Sequence, residues 1–143
     1  MLKQSLYSAL IVASSVTGAW GEQRQLEAWF EAGTASEQRA ICGAALIKFG
    51  MAVSLSKDAE ARKGSFQLLY RGYALNNLAE VETPEISKEA WHTKPSMGMK
   101  SDAFYSLIQN CVKLYNAAYS DGIISESQQG SAIEKAQNVL ESG

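Results

Sequence analysis

The chain has one histidine and only two cysteines, and that scarcity removes several chemistries at once. A zinc site needs His and Cys in clusters, and the lone His92 lies far from Cys42 and Cys111. No Cys-x-x-Cys is present for a redox pair, nor the Cys-x-x-Cys-His of a c-type haem. Gly-x-Ser-x-Gly, His-Glu-x-x-His and a glycine-rich phosphate loop are missing as well. No metal and no cofactor are expected. Positive charge is also scarce: 13 Lys and Arg against 15 Asp and Glu, without a basic run. Nucleic acid and anionic membrane surfaces are both found by clustered Lys and Arg, so neither is an expected partner. None of the asparagines has Ser or Thr two residues on, so no N-glycosylation acceptor exists.

The first twenty residues differ in composition from the rest. Lys3 precedes an apolar stretch from Leu6 to Val16, and Thr17-Gly18-Ala19 supplies small residues where a signal peptidase reads. The apolar run is too short to span a bilayer comfortably. Residues 1–19 are expected to be a signal peptide and residues 20–143 a single helical domain. Cleavage after Ala19 leaves Trp20 first; cleavage after Gly21 is nearly as well marked. The location implied is periplasmic or secreted, with no membrane span once the signal is removed. In such a compartment the two cysteines pair. A Cys42–Cys111 bridge closes a loop that restricts the unfolded chain by roughly 4 kcal/mol in the entropy model.

What the chain does have is helical periodicity. Phe104, Leu107, Ile108, Cys111, Tyr115 and Ala118 recur at steps of three and four, which makes this stretch the expected carrier of the core. Cys42, Leu46, Phe49 and Val53 form a second stripe, opened by a capping box, Thr34 to Glu37. Gly43 and Gly50 lie on a neighbouring face, where close approach of another helix would explain them. Ser56 is the expected cap of a third helix, with Phe66, Leu69, Tyr70, Tyr73, Ala74, Asn77 and Leu78 inward. Asn77 is the polar intruder on that face. A capping box from Ser125 to Gln128 opens the last helix, with Ala132, Ile133, Ala136, Val139 and Leu140 on its face.

Two shorter pieces complete the architecture. Glu22 to Ala32 reads as a first amphipathic helix carrying Leu26, Trp29 and Phe30, with Gly33 as its C′ residue. Thr83-Pro84-Glu85 opens a short crossover helix through about Trp91, and Ser101 caps the helix after it. The fold expected is therefore all-α: a small bundle of four main helices, a short N-terminal helix and a helical crossover, with one disulfide.

Function is less legible. The aperiodic segment from Trp91 to Met99 gathers residue types that anchor partners, so Trp91, His92, Lys94, Met97 and Met99 are candidate contacts. The same segment serves equally well as a plug packed on the bundle. Phe49, Tyr70, Tyr73 and Tyr115 are the alternative, lining a pocket for a small apolar ligand. A carboxylate-based cell-wall hydrolase would have to draw its acids from Glu82, Glu85 and Glu89. The Asp121-Gly122 turn resembles part of an EF-hand loop, yet Ala117, Tyr119 and Gln128 occupy positions where that loop needs oxygen ligands and a bidentate acid. The reading favoured is an exported, non-enzymatic protein that binds another envelope or exported protein, of inhibitor, immunity or accessory type.

Protein recovered from the exported fraction should have the intact mass of a chain beginning at Trp20 or Glu22, less the two thiol hydrogens. Alkylation before reduction should leave that mass unchanged; a full-length chain that takes up two alkyl groups would place the protein in a reducing compartment.

Overall fold

Ala40, Ile41, Cys42, Gly43, Ala44, Ala45, Leu46 and Ile47 contain no charge and no strong polar group. A helix that is apolar all round can only sit in the middle of a bundle. That is where these residues are in the computed structural model, which describes residues 25–142. All eight are buried. The expected signal peptide, residues 1–19, and the stretch from Trp20 to Arg24 lie outside the described residues.

Seven helices follow one another among the described residues. They are α1 Leu26–Ala32, α2 Ala35–Ser54, α3 Ala59–Lys63, α4 Ser65–Glu82, α5 Pro84–His92, α6 Asp102–Ser120 and α7 Glu126–Ser142. Among the described residues the only extended pairing is a single bridge between Gln25 and Lys94. The all-α bundle expected from the sequence is the fold observed. No helix among the described residues is long and apolar enough to cross a membrane.

The centre of the bundle is the α2–α4 pair, the most extensive contact between any two elements. Its closeness is set by glycines on both sides. A β-carbon on Gly43 would stand 2.8 Å from the Asn76 amide nitrogen, and one on Gly72 2.7 Å from Ile47 Cγ1 and 2.8 Å from its backbone nitrogen. A β-carbon on Gly50 would meet Leu69 at 2.9 Å. Close approach, expected for Gly43 and Gly50, is thus what these residues provide, and Gly72 answers them from the opposite helix.

The remaining helices are tied to this pair. Cys42 and Cys111 form the disulfide between α2 and α6, with their α-carbons 5.1 Å apart and both residues wholly buried. Phe49 meets Phe104 and Tyr105 edge-on, each at 5.7 Å. At the other end, α1 is stapled to α2: the Trp29 indole donates to Glu37 Oε2 at 3.1 Å, and the Gln38 amide donates to the Phe30 carbonyl at 2.8 Å. The last helix, α7, packs chiefly on α4 and buries Ala132 and Ala136.

Both capping boxes form. The Glu37 amide donates to Thr34 Oγ1 and the Thr34 amide to Glu37 Oε1; Ser125 and Gln128 make the equivalent exchange. Ser101 accepts from the Phe104 amide at 3.2 Å as expected. Gly122, at φ +80°, takes the left-handed turn between α6 and α7.

Five expectations need correction. The face expected of α6 is the one it buries, but the centre of the bundle is the 40–47 stretch of α2, enclosed on every side. Helix α6 keeps a solvated face, with Asp102 and Lys113 in water. Ser56 caps no helix: its hydroxyl accepts from the Asp58 amide, and Asp58 caps the short α3 by accepting from Glu60. The chain then breaks at Gly64, where the Ser65 hydroxyl donates to the Arg62 carbonyl at 2.7 Å. Asn77 is exposed and Asn76 buried, because the stripe facing α2 runs through Gly72, Asn76 and Ala79, small or polar residues that a hydrophobic count passes over. The first helix begins at Leu26 with Gln25 as its cap, and Gly33 ends it in an extended conformation at φ −83°, not a left-handed one.

These contacts separate two glycines that propensity alone would treat alike. Gly72→Ala should lower the unfolding free energy by about 1–3 kcal/mol, because Ile47 cannot give way within a packed helix pair. Gly130→Ala, with open space around it in α7, should raise it by about 0.5–1 kcal/mol. Urea denaturation of the two variants checks the sign of each.

Candidate functional site

A buried amide needs partners, and Asn76 finds two on the crossover helix. Its Oδ1 accepts from the Ser87 hydroxyl at 3.3 Å and from the Trp91 indole nitrogen at 3.2 Å. Ser87 and Trp91 are one helical turn apart, so a single acceptor on α4 fixes the rotation of α5 about its own axis. Pro84 starts α5 at its first turn, where the missing amide costs nothing. Thr83 does not cap it by its side chain; its hydroxyl donates back to the Ala79 carbonyl at 3.3 Å.

Lys48 of α2 closes the other side of the indole. Its ammonium lies 5.3 Å from the Trp91 ring centre and donates to the Trp91 carbonyl near the end of α5. A cation over an aromatic face and against the last carbonyls of a helix is held by both fields. Burial pushes the Lys48 pKa down from its ordinary value.

Trp91 so held forms part of the wall of an open groove of about 560 Å³ along α4 and α5. Glu80, Pro84, Ser87, Lys88 and His92 line the rest. The wall is largely apolar, from Pro84 and the indole, with one carboxylate, one ammonium and one imidazole set into it. No nucleophile–base pair is made there, since the Ser87 hydroxyl is spent on Asn76 rather than on His92. A Ser-x-x-Lys spacing at Ser54 to Lys57 has no catalytic geometry either. The Ser54 hydroxyl donates to the Met51 carbonyl at 2.6 Å, and Lys57 stands exposed.

The five candidate contacts divide. Trp91 and His92 share the groove. Lys94, Met97 and Met99 lie on the loop beyond it, which is fastened to α1: the Leu26 amide donates to the Lys94 carbonyl at 3.0 Å and the Ser96 amide to Glu27 Oε1 at 2.9 Å. Met97 is 78% exposed beside the left-handed Gly98, while Met99 packs against the core. Plug and surface are thus combined in one segment: Met99 packs inward, Met97 points outward, and Trp91 does both, packed against the core and walling the groove.

The four residues of the apolar-ligand alternative fall into separate ring contacts. Phe49 sits with Phe104 and Tyr105, while Tyr70 meets Tyr115 edge-on at 6.1 Å. Tyr73 lies under the Lys135 ammonium, 5.1 Å from its ring centre. None of the four lines a described cavity. Burial raises the pKa of Tyr73 and of Tyr115; for Tyr115 the Gln129 amide, donating to its oxygen at 2.7 Å, pulls the other way. Of the three glutamates considered for hydrolysis, Glu82 is paired with Arg39 at 3.0 Å, and the groove's one acid is Glu80.

Asn76, Lys48, Glu80 and Lys88 were not legible as site residues. One signal did exist: Ser87 and Trp91 at a four-residue step, opposite an Asn on a helix with a packing glycine. Comparison with known family models, curated proteins and solved structures gave no match.

Because Asn76 satisfies both donors, Asn76→Ala should cost about 2–3 kcal/mol of stability by leaving Ser87 and the indole without an acceptor. Met97→Ala should stay within about 0.5 kcal/mol of the parent. Urea unfolding followed by tryptophan fluorescence reads both, and equal effects would undo the division of the segment.

Proposed function

We propose that this is an exported, non-enzymatic protein that binds another protein of the envelope or exterior through the α4–α5 groove. The observation that carries the reading is the fixed indole of Trp91. A tryptophan held from below by Asn76 and from one side by Lys48 gives up little conformational freedom when a partner covers it. Tryptophan is also among the residue types that dominate interface energetics. Lys88, His92 and Glu80 around it supply a polar rim of mixed sign, which sets orientation rather than affinity. A buried disulfide between the two halves of the bundle suits a protein working outside the reducing cytosol. Inhibitor, immunity factor and accessory subunit all fit this description, since each acts by contact alone.

A photo-crosslinking residue placed at His92 and, in a second variant, at Lys113 on the solvated face of α6 tests the groove in the native host. A discrete adduct at His92 that is lost on Trp91→Ala and missing at Lys113 supports the reading. No adduct at His92, or the same adducts at both positions, would remove the groove as the contact.

A further inference from the structure

The groove along α4 and α5 has a direction. Asn76 reaches both Ser87 and Trp91, so the two helices run back past each other from the corner at Thr83. Glu80 lies one turn nearer that corner than Asn76 and lines the groove with Pro84. Lys88 and His92 follow Pro84 at successive four-residue steps, on the same side of α5. The rim therefore begins with a carboxylate and ends with an ammonium and an imidazole. Lys48 adds to the positive end, its ammonium 5.3 Å from the indole centre and donating to the Trp91 carbonyl. The two acids of α5 that follow Pro84, Glu85 and Glu89, lie outside the groove lining.

The chain makes no use of the three rim charges. Among the described residues, Glu80, Lys88 and His92 are exposed and form no ion pair and no side-chain hydrogen bond. Such charges contribute little to the fold, but around apolar ground that a partner covers they discriminate, because the wrong sign at either end sets like charges face to face. The apolar ground is Pro84 and the indole of Trp91. The indole N–H is already spent on Asn76, so an occupant meets a ring and not a donor. What suits that ground is an apolar side chain.

We infer that the groove takes a segment of the partner in one order of charges. An apolar side chain lies on Pro84 and Trp91, an Asp or Glu reaches Lys88 and His92, and a Lys or Arg reaches Glu80. The inference rests on the protein-binding reading of the same groove and adds the chemistry of the segment that fills it.

The test selects a display library of random short peptides on the whole exported protein, untagged, and synthesises those enriched. His92 is the chain's one histidine, so its imidazole NMR signal reports occupation of the groove without any substitution. Peptides that shift this signal should carry an apolar residue between an acid and a base. Lys88→Glu should weaken them about fivefold, and exchanging the peptide's acid for Lys should restore binding to that variant. Glu80→Lys should respond likewise to a peptide whose base is exchanged for Glu. Both positions are exposed, so the fold is kept in either variant. Peptides that shift the His92 signal but lack either charge, or exchanged peptides that fail to restore binding, would overturn the order of charges while leaving the groove as a contact. No enriched peptide, or none that moves the His92 signal, would overturn both.

Discussion

The near-contact of two helix backbones at Gly43 and Gly72 is the constraint on which the other packing depends. Where helices approach this closely, each glycine makes room for what faces it: the Asn76 backbone lies on Gly43, the Ile47 side chain on Gly72 and the Leu69 side chain on Gly50. Leu46 and Leu75, wholly buried, complete the apolar packing of the pair. The aromatic residues lie further out, between α4 and α6 and between α2 and α6. A small domain gains a dry centre in this way without many large residues.

The same constraint explains what could be read from the sequence and what could not. Helices α2, α6 and α7 announce themselves by caps whose chemistry is local, so Thr34, Ser101 and Ser125 do in the structure what their side chains can do in a peptide. The disulfide was legible because two cysteines leave one pairing. The choice of central helix was not. Periodicity favours stretches with large apolar residues on one face, and α6 has the cleaner stripe. Burial on all sides follows instead from Ala, Gly and Cys, which carry little hydrophobic signal per residue. The displacement of the buried amide from Asn77 to Asn76 has the same origin, since one step along a helix turns a side chain by more than a quarter of a circle.

Of the candidate site, the sequence located the segment but not its geometry. Trp91 and His92 fall in the groove, yet the partners that hold the indole, Asn76 and Lys48, come from helices distant in the chain. Such partners are set by how α5 lies on α2 and α4, which no local pattern encodes. The mixed character of the 91–99 segment follows from its anchoring. The Leu26 amide and the Glu27 carboxylate of α1 hold its middle down at Lys94 and Ser96, and the tip at Met97 and Gly98 is left to solvent.

The position of the disulfide has a mechanical consequence. The bridge joins residues 69 apart and encloses α3, α4, α5 and the loop after them, while α1 and α7 stay outside the ring. A chain drawn from its two ends therefore yields only what lies outside Cys42 and Cys111. The residues between the two cysteines, about 3.5 Å each when extended, bear no tension and stay coiled behind the crosslink. A force that strips away α7 and α1 reaches a covalent stop with the groove helix α5 still inside the unloaded ring.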